Sequence, residues 1–298
     1  ADAFLVNLEC ALTSRTARWH DGAVKAFYFK ADPRHVESLR RARVDCATLA
    51  NNHIGDFGMA GLLDTLATLD GAGIQHAGAG RDIHEARRPA LLQVDDLNIA
   101  VVAAADGPAE WEATGDRPGL FRVAVSVAEE PFAPVERALI EARRLARLVI
   151  FSIHWGPNMR ERPTPEFRAF ARRVLDAGAD VFWGHSAHVV QGIEVVGDRP
   201  ILYDTGDFVD DYAVDGDLRN DLSALFLLRV DEAQVTGVDI LPVRIADGRV
   251  SRAIGADYEH VRATLTARCG ELDTSLVAHK GGGLLRVPVV RRTTADTR

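Results

Sequence analysis

Over the first two-thirds of the chain, short β-type apolar runs alternate with stretches whose apolar positions recur every three or four residues. The runs at residues 3–9, 44–50, 74–77, 90–94, 97–104, 148–154 and 179–183 predict strands. Helices are predicted between them. Asp32-Pro33 opens one that runs to Arg43: Asp caps free amides, Pro fits a first turn, and Val36 and Leu39 face inward. A second, at 59–71, places Leu62, Leu63, Leu66 and Leu69 on one stripe and stops at Gly71-Ala72-Gly73. Others run from Pro134 to Ala146 and from Thr164-Pro165 to Ala177, with a helical turn at Asp82–Arg87. The acidic pair Asp95-Asp96 joins two strands as a hairpin, and Gly78-Ala79-Gly80 is a turn. Residues 10–31 and 106–120 read as loops, the first carrying Trp19, His20 and the aromatic run Phe27-Tyr28-Phe29. Beyond His188 strands dominate, at 192–196, 200–203, 224–230, 235–245 and 249–254. A helix from Asp257 to Cys269, the run Gly281-Gly282-Gly283, a strand from Leu284 to Val290 and a polar tail expected to fray complete the chain. This order predicts an α/β protein with two sheets packed face to face and helices outside, as a single domain over residues 1–298.

Four of the apolar runs stop at a side chain that can bind a cation. They end at Asn7-Leu8-Glu9, at Asn51-Asn52-His53, at His154-Trp155-Gly156 and at Gly184-His185-Ser186-Ala187-His188, where Gly184 is read as a tight turn. Groups at the ends of neighbouring strands can converge, and imidazole, amide and carboxylate donors suit Zn, Mn, Fe or Mg. The four ends are therefore read as one metal site. Asp56 either orients His53 and holds it protonated or caps the helix before Gly58. The acidic stretch from Tyr203 to Tyr212 is a cation site, a grip on a basic or amide-rich substrate, or a solvated loop, and Arg219-Asn220-Asp221 is a candidate partner for it. Arg160 and Arg162 are the nearby groups suited to an anion. Alone, His260 reads as a surface or packing histidine, as do His20, His35, His76, His84 and His279.

Composition narrows the classes. At 298 residues with a formal charge of −8 and scattered Lys and Arg, the chain has no nucleic-acid footprint. Cys10, Cys46 and Cys269 are sparse and odd in number, and read as small buried hydrophobes. No apolar run reaches the roughly 18 residues of a membrane span. The first residue is Ala1 and a strand begins almost at once, so a preceding segment is expected to be missing; the cytoplasm is the favoured location.

At these residues the chain resembles the CapA-like proteins, a branch of the calcineurin-like metallophosphoesterase superfamily named for poly-γ-glutamate capsule synthesis. The marks are Asn7-Leu8-Glu9, Ala50-Asn51-Asn52-His53 with Asp56 and Gly58, Gly78-Ala79-Gly80, His154-Trp155-Gly156, Gly178-Ala179-Asp180, Gly184-His185 with His188, and Gly206-Asp207-Phe208. The resemblance implies a four-layer α/β/β/α sandwich and a centre of one or two divalent ions (Mn, Zn, Fe, Mg or Ca). It implies Glu9, Asn52, His154, His185 and His188 as ligands and His53 as acid or base. The chain starts after the Gly-Asp strand end that supplies an aspartate ligand in the family. Ser186-Ala187 stands where many relatives have His-Pro, and Asp204 and Asp207 where many have Ser and Asn. The acidic variant is similar to the peptide epimerases of lasso-peptide pathways, a likeness that would make His260 a base. The expectation is a metal-dependent enzyme acting on a peptide or small molecule. Cα epimerisation of a ribosomal peptide is the leading reading, with Asp204, Asp207 and Arg160 as substrate contacts, because an acidic loop opposes an anionic substrate. Phosphoester or amide hydrolysis, and a role in poly-γ-glutamate capsule biosynthesis, are the alternatives.

Overall fold

A computed structural model describes residues 1–20, 25–211, 213–279 and 283–290. Tyr212, Gly281-Gly282 and the polar tail lie outside the described residues. The chain divides into two compact units, Ala1–His154 and Trp155–Arg298.

The first unit opens with β1 (Leu5–Asn7), then β2 (Ala11–Leu12) and β3 (Lys30–Ala31), which pair in parallel inside the stretch expected to be loop. The turn at Pro33–His35, where Asp32 accepts from the Arg34 amide, leads into α1 (Val36–Arg41), which has no fully buried residue. Next come β4 (Cys46–Thr48), α2 (Gly58–Ala72) and β5 (Gln75–Ala77). β4 lies between β1 and β5, parallel to both, with Ala47 opposite Val6 and His76. α2 buries Leu62, Leu66 and Leu69 completely, while Leu63 is half-buried. Each full leucine burial contributes about 2 kcal/mol at most. The helix stops at Gly73, which has a φ of +71°, a left-handed conformation that costs glycine nothing.

The unit continues with β6 (Ala79–Gly80), α3 (Ile83–Ala86), the hairpin β7 (Ala90–Val94) and β8 (Leu97–Ala105), and β9 (Gly119–Leu120), which pairs with β6. The expected surface loop at 106–120 instead buries Trp111, which is 2% exposed. The indole lies against Gly55, where a Cβ would come within 2.6 Å of the ring. α4 (Glu129–Leu145) begins five residues before Pro134. Glu129 and Glu130 favour a first turn, and Pro131 stands where the amide has no partner within the helix. β10 (Leu148–His154) then pairs parallel to β8, with His154 opposite Ala105 and all seven residues buried. Such strands, covered on both faces, read as continuous apolar runs and carry functional groups at their C-terminal ends.

The second unit opens with α5 (Pro165–Asp176), capped by the Thr164 hydroxyl at 3.3 Å from the Phe167 amide. β11 (Val181–His185) pairs parallel to β13 (Arg199–Leu202), and β12 (Ile193–Val196) runs antiparallel to β13. β14 (Leu222–Asp231), β15 (Gln234–Ala246) and β16 (Arg249–Arg252) form a long antiparallel meander. After α6 (Gly255–Gly270), β17 (Val277–Ala278) and β18 (Leu285–Pro288) complete that sheet in the order β14-β15-β18-β17. Gly184 is not the turn the sequence suggests. It lies within β11, and a Cβ there would meet the Tyr203 carbonyl oxygen at 2.1 Å and the Trp155 indole nitrogen at 2.6 Å. The mixed α/β class is as expected. Among the described residues, no helix is long and apolar enough to cross a membrane.

Candidate functional site

In the first unit the ends of β1 and β4 are tied together by amides. Asn7 donates to Glu9 Oε2 at 2.8 Å and accepts from Asn51 Nδ2 at 3.0 Å. Asn51, fully buried, also donates to the Leu8 carbonyl, and its own oxygen accepts from the His53 and Ile54 amides at 3.1 and 3.0 Å. Asn51 thus holds the strand ends in register, leaving Asn52 as the amide not used by the scaffold. Asn52 Oδ1 is buried and accepts no hydrogen bond. From the end of β10, His154 Nδ1 comes within 3.9 Å of Glu9 Oε2.

His53 and Asp56 form a buried pair. The imidazole Nδ1 lies 2.7 Å from Asp56 Oδ2, with His53 6% exposed and Asp56 fully buried. Asp56 is therefore no solvated helix cap. It also accepts from the Phe29 amide at 2.6 Å and from the Lys25 ammonium. The carboxylate fixes the orientation and tautomer of the ring. The Phe29 ring packs on the imidazole, centroids 4.2 Å apart. Lys25 and Asn51 are the contributors that sequence reasoning missed. Nothing local marks Lys25, whose partner is 31 residues away, while the Asn-Asn doublet held the clue to Asn51.

In the second unit, His185 at the end of β11 is 5% exposed. Burial, with a smaller contribution from His188, pushes its pKa down to about 3, so the ring is neutral, the form that binds metal. His188 Nδ1 lies 2.8 Å from Asp207 Oδ1, and Asp207 Oδ2 is buried without a hydrogen bond. The turn between the histidines has positive φ at two non-glycine residues, +129° at Ser186 and +59° at His188. Asp204 secures it. Its carboxylate accepts from the Ala187 amide at 2.7 Å and the Gly206 amide at 2.9 Å, and its 2% exposure pushes its pKa up to about 7 despite those bonds. The Met159 amide donates to the Ala187 carbonyl at 2.8 Å, and the Arg268 guanidinium donates to the Val190 carbonyl.

Asp204 and Asp207 thus face backbone amides and an imidazole rather than forming a solvated acidic wall. Arg160 lies over the Phe167 ring at 5.4 Å, while Arg162 is paired with Glu271 at 2.7 Å. Arg219 pairs with Asp221 and Asp257 at 2.7 and 3.3 Å, not with the 204–211 stretch. His260 is exposed on α6 and makes no hydrogen bond or ion pair with a site residue. Among the described residues, no three His, Cys, Asp or Glu side chains gather as a group able to hold a metal ion. What each unit does assemble fits a divalent cation by donor chemistry. There is a buried amide oxygen in the first unit and a buried carboxylate oxygen in the second without hydrogen bonds, and an imidazole in each whose Nδ1 is held by a carboxylate.

Residues 1–212 match the family model described as bacterial capsule synthesis protein PGA_cap. A probable polyglutamine synthesis accessory protein of Mycobacterium tuberculosis is 35% identical over 99% of this chain and 80% of its own length. The capsule biosynthesis protein CapA of Bacillus anthracis is 28% identical over 81% of this chain and 58% of its own length. Among solved structures, the Thermus thermophilus sulfate thiohydrolase SoxB aligns with a TM-score of 0.45 at 14% identity, over 80% of this chain and 39% of that one. On the family match and the mycobacterial relative, the chain belongs to the PGA_cap family of bacterial capsule synthesis proteins, in its CapA-like branch.

Proposed function

We propose that this protein serves poly-glutamate synthesis by cleaving amide bonds of a glutamyl chain, with a divalent cation and His53 as the acid–base group. The names of its relatives, which speak of capsule synthesis and of polyglutamine synthesis, support a role in making a polymer of this kind over Cα epimerisation of a ribosomal peptide. The observation that carries the chemistry is the His53–Asp56 pair at 2.7 Å. A buried carboxylate on Nδ1 fixes the tautomer and steadies the imidazolium, so Nε2 can give a proton to a leaving amine and take one back. Each unit offers its own proposed cation ligands, Glu9, Asn52 and His154 in the first and His185 and His188 in the second. A bound divalent ion supplies Lewis-acid polarisation of the scissile carbonyl. Asp207 orients His188, and Asp204 holds the turn that carries it.

The test is incubation of metal-loaded protein with poly-γ-glutamate, following chain length and newly formed amino groups. His53→Ala is expected to slow cleavage about 100-fold or more, the usual size of an acid–base contribution. Deuterium entering an α-position from solvent without cleavage would restore the epimerase reading. Turnover of p-nitrophenyl phosphate with no effect on the polymer would favour a phosphoesterase.

A further inference from the structure

We propose that Arg18 and the segment Lys25–Phe29 form a substrate wall beside His53, in which Arg18 grips a side-chain carboxylate and Phe27 covers the adjoining methylenes. The assignment of these residues rests on the glutamyl-chain reading above and adds to it the groups that select charge.

Asp56, which holds His53, also anchors this wall. It accepts from Lys25 and from the Phe29 amide, while the Trp19 amide donates to its backbone carbonyl at 2.7 Å. Trp19 and the Lys25–Phe29 segment are thus both fixed to the residue that positions the imidazole. An aromatic series runs outward from there. Phe29 packs on His53 at 4.2 Å, and Phe27 stacks on Phe29 at 6.0 Å with planes 13° apart. Phe27 is 53% exposed, a large apolar surface at the outer end of the series. Arg18 lies 4.7 Å over the Tyr28 ring, is exposed, and has no ion-pair partner among the described residues. Stacking pre-orients the guanidinium while leaving its planar N–H fork free for a carboxylate. A glutamyl unit offers both features in sequence, two methylenes and then a carboxylate.

The test is calorimetric titration of the metal-loaded protein with a γ-linked glutamate octamer and a neutral glutamine octamer. The wild type is expected to bind the anionic octamer at least tenfold more tightly, the scale of a charge-assisted contact. Arg18→Ala should abolish that preference, Arg18→Lys should retain part of it, and Phe27→Ala should weaken both octamers about fivefold. Arg137→Ala, an exposed arginine on α4, should change nothing, and circular dichroism should show every variant folded. If Arg18→Ala and Phe27→Ala bind the anionic octamer as the wild type does, the wall is refuted while the proposed function stands. A wild type that binds neither octamer refutes both.

Discussion

The two adjacent asparagines at 51 and 52 have opposite roles. Asn51 satisfies the backbone of two strand ends; Asn52 keeps a buried carbonyl oxygen without a hydrogen bond, which costs about 1–3 kcal/mol in a folded protein. Asn52→Leu is therefore expected to leave thermal stability unchanged or slightly raised without metal. It should weaken binding of Mn²⁺ or Zn²⁺ by about tenfold or more, read by calorimetry. Loss of stability with unchanged metal affinity would make Asn52 a scaffold residue. That two amides stand together at a strand end was legible in the sequence. How they divide their hydrogen bonds was not, because an amide there looks alike at either position until its partners are known. Lys25 and Phe29 were beyond reach: they meet Asp56 across 31 and 27 residues, with no periodicity to announce it.

At the scale of elements, the buried parallel strands and the leucine stripe of α2 were legible because burial on both faces, or along one helical face, writes itself into the residue pattern. Gly184 was misread as a turn because a glycine required by a close neighbour looks the same as one required by φ. With a Cβ placed 2.1 Å from the Tyr203 carbonyl, Gly184→Ala should push β11 from β13 and destabilise by about 2 kcal/mol or more. Gly216→Ala, where nothing lies within 4 Å, should stay within about 0.5 kcal/mol. Urea titration of both variants checks this. On the other sheet of the second unit, Asp239 of β15 bridges Arg229 of β14 and Arg286 of β18 at 2.6 and 3.1 Å. Arg286 first, then Arg229, holds the carboxyl below the usual carboxylate range. A depressed folded-state pKa means stability present above the unfolded value, about 3.9, and lost as pH falls through the folded one. Melting temperatures measured from pH 6 downward should therefore fall more steeply for the wild type than for Asp239→Asn.

For the whole molecule, the acidic loop at 204–211 is what the sequence sets against an anionic substrate, and its carboxylates at 204 and 207 are engaged locally. Asp204, Asp207 and Asp56 point at amides, an imidazole or a lysine, and Arg18 is stacked on Tyr28. Family membership was legible because its marks are short phrases at strand ends, each set by local geometry.

The backbone between the two histidines of the second unit has a consequence for engineering. Ser186, at a φ of +129°, occupies a conformation natural only to glycine, and Asp204 and Met159 keep it there. Ser186→Gly should ease that tension and raise the melting temperature, by up to about 1 kcal/mol of folding free energy. It should also let the rings at 185 and 188 wander, so that cation affinity falls as heat tolerance rises. A laboratory screen that selected only for heat tolerance would be drawn to that glycine, and would blunt the site in choosing it.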